Sequence, residues 1–230
     1  MARPLFYLLL LALSATTLSA QDTFYGTVEY KYEMKGEGAE MMAAFMPEKM
    51  IVKYGEKSMM TFMEGGMMGS MMGKIIVNGE SGENFVVKDD EQSVYMISKE
   101  DMKKNAENQE KPRIEKLEEQ KDILGYPCNR YKVTTLQEGE ETVQHIWMTD
   151  KLKAPVFEGI DPGQMGGGFI SGSDIPGFPM EVEVAISNTE MTLLLTATNI
   201  DNTKVEASIF ERPQDYEVKD FSEMMQTGNK

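Results

Sequence analysis

The feature that most constrains this chain is a period of two. In the segment from Phe24 to Lys35, Val28, Tyr30, Tyr32 and Met34 fall on one side, and Thr27, Glu29, Lys31, Glu33 and Lys35 on the other. Side chains alternate across a β-strand, so this pattern belongs to a strand with one buried face. It recurs along the chain, broken by short turns. Lys49–Tyr54 turns at Gly55-Glu56 into Ser58–Met63. Lys74–Val77 meets Asn78-Gly79, a strong hairpin signal. Asn84–Lys88 turns at Asp89-Asp90 into Ser93–Ile97. Arg130–Thr135 turns at residues 138–140 into Val143–Met148, and Met180–Ile186 turns at Ser187-Asn188 into Met191–Ile200. About ten strands joined by tight turns predict an antiparallel meander. Strand–helix–strand alternation is missing, which argues against a doubly wound or barrel α/β fold. Helix candidates are few: Glu40–Met46, one turn at Val205–Phe210, and Asp101–Gln109, which reads as a short surface helix or a linker.

The first twenty residues follow another logic. Arg3 precedes an apolar run, Leu5 to Leu13, and small residues lead to Leu18-Ser19-Ala20. This is the layout of a cleavable secretory signal, and the run is shorter than the roughly 20 residues a membrane span needs. Cleavage after Ala20 leaves 210 residues and, with Arg3 gone, takes the formal net charge from −15 to −16. Residues 21–230 are expected to form a single β-rich domain, released and not membrane-inserted. A pI of 4.6 argues against a nucleic-acid partner, whose phosphates need clustered Lys and Arg. From Gly159 to Gly177, seven of nineteen residues are Gly and two are Pro, the composition of a flap or of a surface insertion.

Catalytic patterns are absent. The one histidine, His145, shares a strand face with Val143 and Trp147, and the one cysteine, Cys128, has no activating neighbour in sequence. Without a nucleophile, base and orienting group the chain does not read as an enzyme. The marked compositional bias is methionine. Eleven of the 32 residues from 41 to 72 are Met. Thioethers are soft ligands suited to Cu(I) or Ag(I), and Met60, Met63, Met67, Met68, Met71 and Met72 are the candidate ligands, the last four on a Gly-rich flexible backbone. Methionine is also an adaptable filler of apolar surfaces, so the same run suits an apolar lining, the reading that its composition favours over metal.

Four segments together carry a resemblance: Ile123–Tyr131 (ILGYPCNRY), Ile146–Leu152 (IWMTDKL), Gly177–Glu181 (GFPME) and Ser208–Tyr216 (SIFERPQDY). They resemble a family of exported Gram-negative proteins that carries only a domain-of-unknown-function label and is similar to the periplasmic lipoprotein-carrier (LolA/LolB-like) superfamily. The resemblance implies a strongly curved antiparallel sheet, a half-barrel whose concave face is apolar and covered by helices or loops, here the Gly-rich segment and the helix near 40–46. It also implies a periplasmic carrier of an apolar ligand: a lipid, an acyl chain or a lipoprotein. The residues expected to line such a ligand site are Tyr30, Tyr32, Met34, Phe62 and Trp147. The alternative is a periplasmic Cu(I)/Ag(I)-binding protein using segment 41–72.

Overall fold

A computed structural model describes residues 22–98, 111–137, 140–155, 175–186 and 189–227. The candidate signal sequence, the candidate helix at Asp101–Gln109 and the Gly-rich segment up to residue 174 lie outside them. The strands are β1 (Asp22–Thr23), β2 (Gly26–Lys35), β3 (Lys49–Tyr54), β4 (Ser58–Glu64), β5 (Lys74–Asn78), β6 (Glu83–Lys88), β7 (Ser93–Ile97), β8 (Arg113–Ile123), β9 (Tyr126–Gln137), β10 (Glu140–Thr149), β11 (Leu152–Lys153), β12 (Phe178–Ala185), β13 (Thr192–Asp201) and β14 (Glu217–Asp220). The helices are α1 (Ala39–Ala43), α2 (Gly66–Met72) and α3 (Phe221–Thr227), with a 3-10 turn at Ala207–Phe210.

Twelve strands form one open sheet in the order β14-β7-β6-β5-β4-β3-β2-β13-β12-β10-β9-β8. The mainly β, curved half-barrel architecture expected from the sequence is the one observed. Two meanders, β2–β7 and β8-β9-β10-β12-β13, are joined where β2 pairs with β13. All pairings in this sheet are antiparallel except β14 with β7, and the short β1–β11 pair is also parallel.

The register defines two faces. Along the inner one, Tyr131, Ile146, Val182, Leu195 and Tyr32 follow one another across five strands. Tyr30, Met50 and Met63 continue it on β2, β3 and β4. The sheet curls until strands far apart in the order touch. Phe24, Tyr54 and Phe178 pack edge to face, with centroids 5.3–5.8 Å apart, a favoured aromatic geometry. Over β4–β7 both faces are covered. Segment 205–216 packs its Val205, Ile209, Phe210 and Tyr216 on Met60, Ile76 and Phe85. On the other face α3 sets Phe221 and Met224 on Ile75, Val86 and Tyr95.

Several expectations are corrected. Among the described residues the strand count rises from about ten to fourteen: the additions are the short β1, β11 and β14, and β8, which is polar on both faces and gives no period-two signal. The turn after β5 is longer than an Asn-Gly pair. It runs to Gly82, whose N–H donates to the Asn78 carbonyl at 2.8 Å, and the Asn78 side chain accepts from the N–H groups of Glu80 and Ser81. The helix expected at Glu40–Met46 runs from Ala39 to Ala43; it leaves Met41 and Met42 exposed, while Met46 packs against the main core. The end of the Gly-rich segment is fixed: Ile175 is buried in the core. At Gly177 (φ +118°) a Cβ would lie 2.3 Å from the Thr149 carbonyl oxygen.

Candidate functional site

The residues expected to line one ligand site occupy both faces of the sheet. Tyr30, Tyr32 and Met34 lie inward, packed in the main core. The Tyr30 hydroxyl donates to the Pro179 carbonyl at 2.9 Å. The Tyr32 hydroxyl sits 3.8 Å from the sulfurs of both Met50 and Met63, and burial pushes its pKa up to about 12. Phe62 points the other way, onto the Met60 cluster, with the Lys53 ammonium 5.9 Å from its ring.

Trp147 belongs to the same buried core cluster as Tyr30 and Tyr32, and the ladders place it between Arg130 and Glu181. The Lys121 ammonium lies 4.3 Å from its ring and the Arg130 guanidinium 5.6 Å. Carboxylates hold both cations there: Lys121 pairs with Glu181 at 2.5 Å, and Arg130 with Glu119 at 3.0 Å and Glu183 at 3.5 Å. Trp147 is thus clamped in an ionic network; Tyr30, Tyr32, Met34 and Trp147 pack in one core cluster, and Phe62 packs in another.

His145 and Cys128 are also kept apart. On the β9–β10 ladder His145 faces Lys132, whereas Cys128 faces Thr149, four residues further along β10. Burial pushes the Cys128 thiol up to about 11, away from the thiolate a nucleophile needs. Burial and the nearby Arg130 charge hold His145 below its usual value.

The candidate metal ligands separate too. Met60 faces outward into one cluster and Met63 inward against another, so strand alternation keeps them on opposite sides of β4. Met67, Met68, Met71 and Met72 do come together, on α2, a helix where a flexible loop was expected. Met67, Met68 and Met71 are 56%, 40% and 53% exposed.

Beside α2 lies α1. The Met68 N–H donates to the Phe45 carbonyl at 3.0 Å, and a Cβ on Gly66 (φ +60°) would lie 2.0 Å from the Met46 carbonyl oxygen. Only glycine permits that approach. The two segments form one ledge that exposes Met41, Met42, Phe45, Met67, Met68 and Met71, six of the ten large hydrophobic side chains most exposed among the described residues. Met41 and Met42 belong to the methionine run of the sequence, whose two ends the fold joins with Phe45 into one surface. The i,i+4 spacing of Met41 and Phe45, repeated at Met67 and Met71, was the available signal.

At the other end of β3 is a cleft of about 760 Å³ between the β3–β4 turn and segment 202–211. Phe24, Tyr25, Tyr54 and Phe210 contribute to its wall. Lys204 bridges to Glu56 at 2.9 Å and Lys57 to Glu80 at 3.9 Å. The Asn78 amide donates to the Phe210 carbonyl at 3.1 Å and ties the two sides together. No residue proposed from the sequence as a ligand contact lines it.

An open, strongly curved antiparallel sheet with an exposed methionine ledge defines a half-barrel protein of the mainly β class. The chain belongs to the family of the domain of unknown function DUF4412, whose model matches residues 24–216. No curated protein matches it. Among solved structures it is similar to one titled "Structure of PNGF-II in C2 space group", at 17% identity and a TM-score of 0.49, over 87% of this chain and 32% of that one. It is also similar to an uncharacterized conserved protein from Thermus thermophilus, at 7% identity and a TM-score of 0.44, over 84% of this chain and 89% of that one. The chain thus spans about a third of the first of these. Among the described residues no helix is long and apolar enough to cross a membrane.

Proposed function

We propose that this protein is a periplasmic binding module of carrier type, exported by residues 1–20, whose cargo presents an apolar surface: a lipid, an acyl chain or a lipoprotein. The observation that carries the reading is the ledge. Contiguous exposed apolar surface marks an interaction site, and methionine, unbranched and polarizable, moulds to partners of varied shape. The resemblance to the lipoprotein-carrier superfamily supports the same reading. Cargo is received on Met41, Phe45, Met67 and Met71, while Tyr30, Tyr32 and Met34 build the core that holds the ledge in place. The test is native mass spectrometry and lipid extraction of protein purified from the periplasm. Acyl lipid that copurifies with the wild type and is lost from a Met41→Gln/Phe45→Gln/Met67→Gln/Met71→Gln variant supports the reading. Wild-type protein that is always empty and takes up no oleate defeats it.

A second reading follows from α2. Met67 and Met71, and Met68 and Met72, are one helical turn apart, a spacing that sets thioethers side by side. This favours a soft Cu(I) or Ag(I) site. Titration with Cu(I) against a competing chelator decides it: an affinity unchanged when Met67, Met68, Met71 and Met72 are all replaced by Leu removes it.

A further inference from the structure

The ledge has a charge as well as a shape. The two segments that build it, 36–48 and 64–73, contain four carboxylates, Glu37, Glu40, Glu48 and Glu64, and no Lys or Arg. All four are exposed. None pairs with a cation among the described residues, and the lysines flanking the ledge are engaged elsewhere, Lys35 with Glu33 and Lys49 with Glu29. Elsewhere on the fold cations and carboxylates are interleaved. Lys121, Arg130 and Lys204, for instance, each hold a Glu.

An apolar surface ringed by unpaired anions discriminates between apolar partners. The carboxylates and the net charge of −15 repel an anionic lipid surface, and a neutral acyl chain gains nothing from them. A partner with an apolar stripe flanked by positive charge satisfies both features, because complementary charge steers encounter and fixes orientation. Methionine-rich surfaces also accept the apolar face of an amphipathic helix. We propose that the occupant of the ledge is a cationic amphipathic polypeptide segment. Its apolar stripe lies on Met41, Phe45, Met67 and Met71, and its Lys or Arg side chains face Glu40, Glu48 and Glu64. This deepens the apolar-cargo reading and rests on the ledge being the receiving surface.

The experiment uses the mature protein and calorimetric titration with a synthetic amphipathic Leu/Lys peptide. Its Leu/Glu counterpart, phosphatidylglycerol vesicles and oleate are titrated in parallel. Two variants, both checked for native circular dichroism, separate the contributions: Met41→Gln/Met67→Gln/Met71→Gln and Glu40→Gln/Glu48→Gln/Glu64→Gln. The Leu/Lys peptide is expected to bind the wild type tighter than any other probe. Its affinity should fall about tenfold in the methionine variant, through lost apolar contact, and about tenfold in the carboxylate variant, through three lost surface charge pairs. The proposal is overturned if the Leu/Lys peptide binds no tighter than the Leu/Glu peptide, if either variant binds it as the wild type does, or if the vesicles bind instead. Failure of the peptide with oleate still held on the ledge overturns this proposal and leaves the apolar-cargo reading standing. Failure of both removes the two together.

Discussion

The Tyr30 hydroxyl donates a 2.9 Å hydrogen bond to the Pro179 carbonyl although β2 and β12 are not neighbours in the sheet. β13 lies between them, so the bond spans the inside of the curl. Tyr30 is fully buried. Tyr30→Phe keeps the ring and leaves a buried carbonyl short of a partner, a change that costs roughly 1–2 kcal/mol. A urea melt should show the midpoint lowered with the slope unchanged; an unshifted midpoint would mean that the bond adds nothing to the curl.

The outer face makes a different prediction. Glu181 accepts from Lys121 at 2.5 Å and from the Thr196 hydroxyl at 3.1 Å, and its side chain is only 10% exposed. Glu181→Ala strips both donors of their acceptor and frees the ammonium held over Trp147. The expected cost is about 1–3 kcal/mol. The chain has one tryptophan, so its fluorescence reports both the unfolding transition and the changed surroundings of the ring.

This face also shows where the sequence stopped being informative. Strand existence followed from alternation and turn signals, and β2, β3, β4, β5, β6, β7, β9, β10, β12 and β13 were all legible. On β10, however, Ile146, Trp147 and Met148 are all apolar, so parity alone does not tell which face is the core. All three are buried in the main core, with a register shift against β12 between Trp147 and Met148, and that shift depends on a distant strand. β8 was illegible for another reason. It is an edge strand with one neighbour, and Arg, Lys, Glu and Gln along it protect an open edge while erasing the hydrophobic pattern. The helix at Gly66–Met72 was hidden by its glycines, which weaken helix propensity, although Gly66 allows the close approach to Phe45 and Met46 just after α1.

The cleft end of β3 yields a packing test. A Cβ on Gly55 would lie 2.7 Å from the Phe210 ring, which is itself 3% exposed. Gly55→Ala forces the ring or the turn to move, an overpacking cost of roughly 1–3 kcal/mol. A thermal melt should register it, and a melting temperature equal to the wild type would show that segment 205–216 yields freely.

His145 supplies the pH dependence. Burial first, and the Arg130 charge second, lower its pKa from 6.5, with Lys132 adding to this and Glu183 and Glu119 opposing it. The unfolded chain therefore binds a proton more readily than the folded one. Stability contributed by the neutral ring is present above pH 6.5 and is lost as the pH falls from there through the folded-state value. As the chain has one histidine, its imidazole proton resonance titrates alone and should do so below 6.5. The wild type should lose stability relative to His145→Gln over the same interval; a folded-state pKa at or above 6.5 would contradict the placement on the Arg130 face.

Methionine oxidation tests the ledge directly. Thioethers react with peroxide according to access, giving the sulfoxide. Met41, Met67 and Met71 are 77%, 56% and 53% exposed, whereas Met50, Met59 and Met180 are at most 1%. Brief treatment with dilute peroxide followed by peptide mass mapping should therefore find sulfoxide at the first three while the last three stay reduced until the protein unfolds. The reaction also carries a consequence for binding. A sulfoxide is polar, so ledge oxidation should weaken any apolar partner in the same direction as the Met→Gln variants, with the core intact and the thermal melt little changed. Oxidation spread evenly over both groups would mean that α1 and α2 do not stand off the sheet. The apolar ledge, with everything inferred from it, would then be lost.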